Sequence, residues 1–264
     1  LAKQTKPNIG KSLKPNHVPG DLSMDISKLE KELKEPFFSI AIPTYGYNGN
    51  GVDFLNFSLE LLYAQTFKDF EIIISDHSTD DTIKEVYEKW VDKLNIVYVV
   101  NENGRGIISP NINNAMKFCN GKYIKVLFQD DFLFDNISLE IQHDFIGNNP
   151  EVNWFMSKFY HSNTGSDFYK LYTPKWVDHQ WSGHNLMGCP SGLTLKNKSL
   201  LFFDEGLNWY MDVDYYQKLY LKYGKPHILD EITVVNRTWG ARLTDTIPQS
   251  LKDKEHTILH ERYT

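Results

Sequence analysis

The sequence predicts an α/β fold: a Rossmann-like, mostly parallel central sheet flanked by helices. Three observations predict it. Short runs of β-branched and aromatic residues recur between Phe37 and Phe128. Segments with apolar residues at helical spacing separate them. The runs are apolar along their whole length, as strands are when both faces of a parallel sheet are covered. Right-handed crossovers then wind the helices onto both faces.

The elements follow in order. Residues 1–36 stand apart as an N-terminal extension: a Lys-, Pro-, Asn- and Gly-rich arm, then a short helix marked by Ile26, Leu29 and Leu33 and ended by Pro36. The first strand is FFSIAI, Phe37 to Ile42, followed by a glycine-rich loop and a helix whose face is Phe54, Phe57 and Leu61. FEIII from Phe70 is the second strand, and Ile83, Val86, Tyr87 and Trp90 mark the next helix. IVYVV from Ile96 is the third, followed by a helix with Ile112, Ala115, Met116 and Cys119. YIKVLF from Tyr123 is the fourth. Beyond residue 132 the alternation loosens; a helix through Tyr216, Leu219, Tyr220 and Tyr223 and a strand over residues 228–235 remain. Residues 37–131 are read as one half of a single domain and residues 132–264 as the half that completes it and shapes a pocket.

Composition narrows the function. A net charge of -6 does not suit a protein that draws its affinity from phosphate backbones, so nucleic acid is not an expected partner. Cys119 and Cys189 lack metal or redox spacing and read as buried thiols in a reducing compartment. No apolar run approaches membrane-spanning length and no signal-peptide pattern opens the chain. The expected location is the cytoplasm, with peripheral membrane attachment left open. The chain opens on leucine, which leaves open a longer gene product.

Ligands of an open parallel sheet bind beyond the carboxyl ends of its strands. The first strand ends in Pro43, Thr44 and Tyr45, where proline fixes the exit of the chain. The second ends in SDHSTDDT: helix capping explains Thr79 and Asp80 but not the earlier Asp76, which is placed to accept an imide N–H. The fourth ends in Gln129, Asp130 and Asp131, and adjacent carboxylates at the mouth of an apolar strand fit a divalent cation. Far downstream, WYMDVD offers Asp212 and Asp214; one caps the helix, and a pocket-facing one is a candidate general base. Trp176, Trp181, His184 and Trp209 are candidates for stacking on a sugar, and residues 172–189 for a mobile cover.

These blocks together resemble the family 2 glycosyltransferases of the GT-A fold, from about Phe38 to Arg237. SIAIPTYGY is similar to the family's first strand and turn, AQTFKDFEIIISDHSTDDT to its second block, NNAMKFCNGKYIKVLFQDD to the approach to its metal motif, and FDEGLNWYMDVDYYQKL to the block that bears its base. The resemblance implies an inverting transfer of a sugar from a nucleotide-sugar, with UDP as the nucleotide, to an acceptor hydroxyl on a glycan. It implies that Pro43, Thr44, Tyr45, Asp76 and Asp130 hold the donor nucleotide, that Asp131 binds Mn²⁺ or Mg²⁺, and that Asp212 is the catalytic base. Asn113 falls where the family has an asparagine. Three positions depart from the family pattern: Phe128 in place of an acid, Met211 in place of a glutamate before the base, and Trp239 in place of a histidine after Arg237. Arg105 or Arg242 then supplies positive charge to the diphosphate, and Trp181, Trp209 and Arg242 are acceptor-side candidates. Two alternatives remain at this point. A sugar nucleotidyltransferase is disfavoured because the loop YGYNGNG carries no Lys or Arg for a triphosphate. A non-catalytic nucleotide-sugar-binding module is disfavoured by the carboxylates that capping leaves over.

Overall fold

The computed structural model of the protein describes residues 35–46, 49–198, 200–240 and 242–264. The expected helix at Ile26, Leu29 and Leu33 lies outside the described residues. The first half follows the predicted alternation: β1 (Phe38–Thr44), α1 (Asn50–Tyr63), β2 (Phe70–Asp76), α2 (Thr82–Trp90), β3 (Ile96–Val100), α3 (Ile108–Lys117) and β4 (Tyr123–Val126). These four strands are parallel, in the order β3-β2-β1-β4. Side-chain alternation sorts the strand residues into two cores. Ile40, Ile42, Ile72 and Ile74 pack with Leu55, Leu59, Val86 and Trp90 on one face. Ala41, Ile73, Ile124 and Val126 pack with Ile112, Ala115 and Met116 on the other.

The second half adds β5 (Phe132–Leu133), α4 (Ser138–Asn148), β6 (Trp154–Ser162), β7 (Lys170–Tyr172), β8 (Leu193–Lys196), α5 (Met211–Tyr223), β9 (His227–Arg237), α6 (Leu243–Thr246) and α7 (Gln249–Tyr263). β8 runs antiparallel between β4 and β6, and β9 lies parallel beside β6. β6 and β9 therefore run in the direction of β4, and their carboxyl ends reach the edge where β1, β2 and β4 end. The sheet is mixed at its far side, where β5 pairs antiparallel with β9 and β7 with β6. The sequence reading found α5 and β9 but not β6, whose polar Ser157, Lys158 and His161 break the apolar run.

One helix face differs from expectation. The fully buried stripe of α1 is Leu55, Leu59 and Leu62, and Phe54, Phe57 and Leu61 are only half-buried. α1 is apolar on two adjoining stripes, and helical spacing alone does not say which one meets the sheet. Phe54 and Phe57 instead close around Arg237 at the end of β9. The Gln65-Thr66 pair after α1 is a cross-tie: Gln65 Nε2 donates to the Asp135 carbonyl at 2.8 Å, and its Oε1 accepts the Leu139 N–H at 3.0 Å. It fixes α1 to the start of α4.

Candidate active site

A cavity of about 850 Å³ opens at the carboxyl edge of the sheet, a size that fits a small-molecule ligand. Pro43, Thr44, Tyr45 and His77 form a first wall at the ends of β1 and β2, and Gln129, Asp130, Asp131, Trp209, Asp212 and Arg242 also line the cavity. The acid pair and the candidate base, more than eighty residues apart in sequence, thus share one cavity. Asp76, Arg105 and Trp181 do not line it.

The first wall is held from behind. Asp76 is buried, and its carboxylate accepts the Tyr98 hydroxyl at 2.7 Å and the Ser78 N–H at 2.8 Å. Arg105 is exposed and donates to the Ser78 carbonyl at 3.2 Å. Both residues therefore grip the turn that carries His77. His77 places Nε2 2.9 Å from the Asn103 carbonyl oxygen, and burial lowers its pKa, so the ring is neutral at physiological pH. The sequence reading passed over His77. Asn111, also missed, donates to the Thr44 carbonyl at 3.0 Å from α3. Asp80 accepts the Thr82 N–H and hydroxyl at 3.1 and 2.6 Å, as capping predicts, while Asp81 at the helix boundary makes no side-chain cap. Asn113 bonds Phe203 and Glu205 and does not line the cavity.

Gln129 explains the QDD segment. Its Oε1 accepts the Tyr45 N–H at 2.7 Å and its Nε2 donates to the Gly51 carbonyl at 2.6 Å. Only an amide does both, because an ionised carboxylate has no hydrogen to give. Gly51 has no room for a side chain, since a Cβ there would stand 2.1 Å from the Tyr45 carbonyl oxygen. Gln129 is thus a clasp that pins the loop after β1 to the end of β4. Phe128 lines the cavity and donates its N–H to Ser191 Oγ at 2.9 Å.

The end of β9 holds the acid pair. Asp131 Oδ1 accepts the Asn236 amide and the Arg237 N–H, both at 2.9 Å. Arg237 Nε donates to the Asp130 carbonyl at 3.0 Å, and the Trp239 indole N–H donates to Asp130 Oδ2 at 3.0 Å. The Arg237 guanidinium is boxed by the rings of Phe54, Phe57 and Phe132 at 4.8, 5.3 and 5.0 Å, favourable cation–π geometry. Burial raises the pKa of both aspartates, and the neighbouring Asp130 charge raises Asp131 further. Among the described residues, no group of three or more His, Cys, Asp or Glu side chains is placed to hold a metal ion.

The base candidate is built differently. Asp212 begins α5, and its Oδ2 accepts the Asn185 amide at 2.7 Å while Oδ1 accepts the Val213 N–H at 2.7 Å. Asn185 is itself locked by the Met187 and Gly188 N–H groups. Gly188 sits at φ +86°, and a Cβ there would meet Phe159 and Tyr172 within 2.8 Å. Burial pushes the Asp212 carboxyl up to about 7, where a general base at neutral pH is most effective. Asp214 does not cap α5. It is fully buried and bonded to Arg262 at 2.5 Å, Lys218 at 2.7 Å and the Tyr263 hydroxyl at 2.7 Å. Trp209 lies under Lys252 Nζ at 3.9 Å from the ring centre, and Arg242 pairs with Asp245 at 3.2 Å. Trp176 packs on Tyr220 and Trp154, Trp181 packs on His260 and Tyr263, and His184 is exposed away from the cavity lining.

The profile described as Glycosyl transferase family 2 matches residues 39–220. The chain belongs to glycosyl transferase family 2. This glycosyltransferase is similar to an uncharacterized glycosyltransferase of Rickettsia prowazekii (strain Madrid E), 26% identical over 242 residues, or 86% of this chain and 72% of the relative. Its fold is similar to that of S. aureus TarS in complex with UDP-GlcNAc, with a TM-score of 0.65 at 21% identity over 80% of this chain and 61% of that one. It is also similar to the mannosyltransferase PcManGT from Pyrobaculum calidifontis in complex with GDP-Man and Mn²⁺, with a TM-score of 0.50 at 16% identity over 77% and 57%. The GT-A arrangement expected from the sequence is the one the glycosyltransferase adopts. Among the described residues no helix is long and apolar enough to cross a membrane.

Proposed function

We propose that this glycosyltransferase moves a sugar from a UDP-linked donor to an acceptor hydroxyl on a glycan, with inversion and with help from a divalent cation. The observation that carries the reading is that Asp212, raised to about 7 and oriented by Asn185, faces the same cavity as the Asp130–Asp131 pair. Residues 37–131 then form the donor half and residues 132–264 the acceptor half. Pro43, Thr44, Tyr45 and His77 take the base and ribose, with Asp76 and Arg105 acting through the turn they hold. The complex of TarS with UDP-GlcNAc supports UDP as the nucleotide.

Asp212 takes the proton of the acceptor hydroxyl as its oxygen attacks the anomeric carbon. The bond from that carbon to the diphosphate oxygen breaks on the opposite face, so the configuration inverts and UDP leaves. Asp131, with Asp130 beside it, would hold Mn²⁺ or Mg²⁺, which supplies positive charge to the departing diphosphate. The donor set fits: two adjacent carboxyls raised by burial, Asp131 also by the Asp130 charge, would gain from a cation, which completes its shell with phosphate oxygens and water. Mn²⁺ bound with GDP-Man in PcManGT supports that reading. Arg242 and Trp209, which line the cavity, are assigned in this proposal to the acceptor. The test is incubation with a panel of UDP-sugars and Mn²⁺, following UDP release and the anomeric configuration of the product by NMR. Retention at the anomeric carbon, or release of pyrophosphate from a nucleoside triphosphate without UDP release, overturns the reading.

A further inference from the structure

The C-terminal helix α7 places a carboxylate beneath the turn that delivers Asp212. Glu255 is 2% exposed, with Oε1 accepting the Asn208 N–H at 2.9 Å and Oε2 accepting the N–H groups of Trp209 and Tyr210 at 2.8 and 3.0 Å. Three successive backbone donors converge on one side chain. They are the donors that precede α5, which has no side-chain cap of its own at Tyr210. About two turns further along α7, Arg262 and Tyr263 bind Asp214. The first turn of α5 is therefore clamped twice by a helix that lies beyond the matched family segment, residues 39–220.

We infer that Glu255 is a positioning residue for the glycosyl transfer, fixing the 208–210 turn so that Asp212 and Trp209 face the acceptor. The inference rests on the reading of Asp212 as the base. A buried carboxylate that accepts three backbone N–H groups is held by charge-assisted bonds, and no neutral side chain of the same shape replaces all three. Its charge also acts on the base. The titratable groups facing Asp212 are Tyr172, Tyr210, Tyr216 and Glu255, and the Glu255 carboxylate acts to raise the Asp212 pKa. Glu255 therefore favours the protonated form of Asp212, adding to the larger effect of burial.

The experiment compares the full chain with Glu255→Gln, Glu255→Asp and, as a control on the same helix, the exposed Glu261→Gln. Two quantities are read: steady-state UDP release from a UDP-sugar panel with Mn²⁺, and the titration of the Asp212 carboxyl by ¹³C NMR, its signal assigned by its loss in Asp212→Asn. Glu255→Gln is expected to lower kcat about tenfold or more with the donor KM within about twofold, as expected when a catalytic group is misplaced but donor binding is kept. It is also expected to move the Asp212 midpoint downward, since a negative charge is lost. Glu261→Gln changes neither. A folded Glu255→Gln protein with unaltered kcat and an unaltered Asp212 midpoint overturns the inference. Should Glu255→Gln fail to fold, Glu255→Asp keeps the charge but shortens the reach; unchanged kcat and midpoint there overturn it equally. If the wild-type protein releases no UDP from any donor while Asp212 still responds to Glu255→Gln, the assignment of the reaction fails and the positioning of Asp212 by Glu255 stands.

Discussion

The two carboxylate sites of the cavity are held by different means. The acid pair lies between β4 and β5 and is gripped by the end of β9 and the residues just after it, with Asn236, Arg237 and Trp239 as the donors. The proposed base, Asp212, sits on a helix start and is gripped by a loop amide, Asn185, while the preceding turn is held by α7 through Glu255. Sheet register fixes the first arrangement, because Asp131 leads directly into β5, whose Phe132 pairs with Val235 of β9. Nothing so regular fixes the second, which rests on a few long-range hydrogen bonds. Single substitutions are therefore expected to disturb the base site more readily than the acid site.

The largest effect separates the two sites chemically. Asp212→Asn is expected to lower kcat by about 10²–10⁴-fold, the usual worth of a general base. UDP affinity measured by calorimetry should stay within about twofold if, as proposed, the base site takes no part in holding the nucleotide. Near-normal turnover at saturating donor would sink the assignment of the base. Next in size is a change on the other side. Trp239→Phe keeps a ring against Phe54 but removes the N–H donated to Asp130. Loss of a partner behind a ligating carboxylate typically weakens metal binding by about 10–100-fold. Titration with Mn²⁺ in the presence of UDP measures it, and unchanged affinity would remove Trp239 from the acid site.

The contrast also explains what the sequence disclosed. Pro43, Thr44, Tyr45, Asp130 and Asp131 were legible because each follows directly from an apolar strand, and strand ends of a parallel sheet meet by topology. Local spacing left Asp212 as one of two aspartates at a helix start, and only the family resemblance chose between them. The structure separates them, sending Asp214 to Arg262 and Lys218 and leaving Asp212 toward the cavity. Asn185, Asn236 and Glu255 were not legible. Each acts through a bond to a partner 27 to 105 residues away, and no periodicity records such a pairing. The α1 stripe shows the same limit in an apolar setting, since Phe54 and Phe57 serve Arg237, a partner that local spacing does not reveal.

Gln129 tests the acid side at its clasp. Gln129→Glu replaces the amide that donates to the Gly51 carbonyl with a carboxylate that faces that oxygen instead. The buried carbonyl loses its donor and a charge is added beside Asp130, so the protein is expected to lose about 1–3 kcal/mol of stability. Urea denaturation reads the change. A midpoint equal to that of the wild type would mean that the loop after β1 does not depend on this bond.

The smallest effect concerns the cost of keeping Asp212 ready. Its carboxyl titrates at about 7 in the folded protein and at about 4 in an unfolded chain. Between those values the folded state keeps a proton that the unfolded state has released, so stability falls as pH rises from about 4 to about 7 and is level beyond it. Asparagine has no such proton. Asp212→Asn should therefore match the wild type near pH 4 and exceed it at pH 8. Asp212 is only half-buried and opens on the cavity, and solvent screening leaves a gain of about 1 kcal/mol, or a Tm higher by about 2–4 °C. Thermal melts of both proteins at the two pH values measure the difference. A gain that is equal at pH 4 and pH 8 would show that the substitution acts through packing and not through the charge of the base.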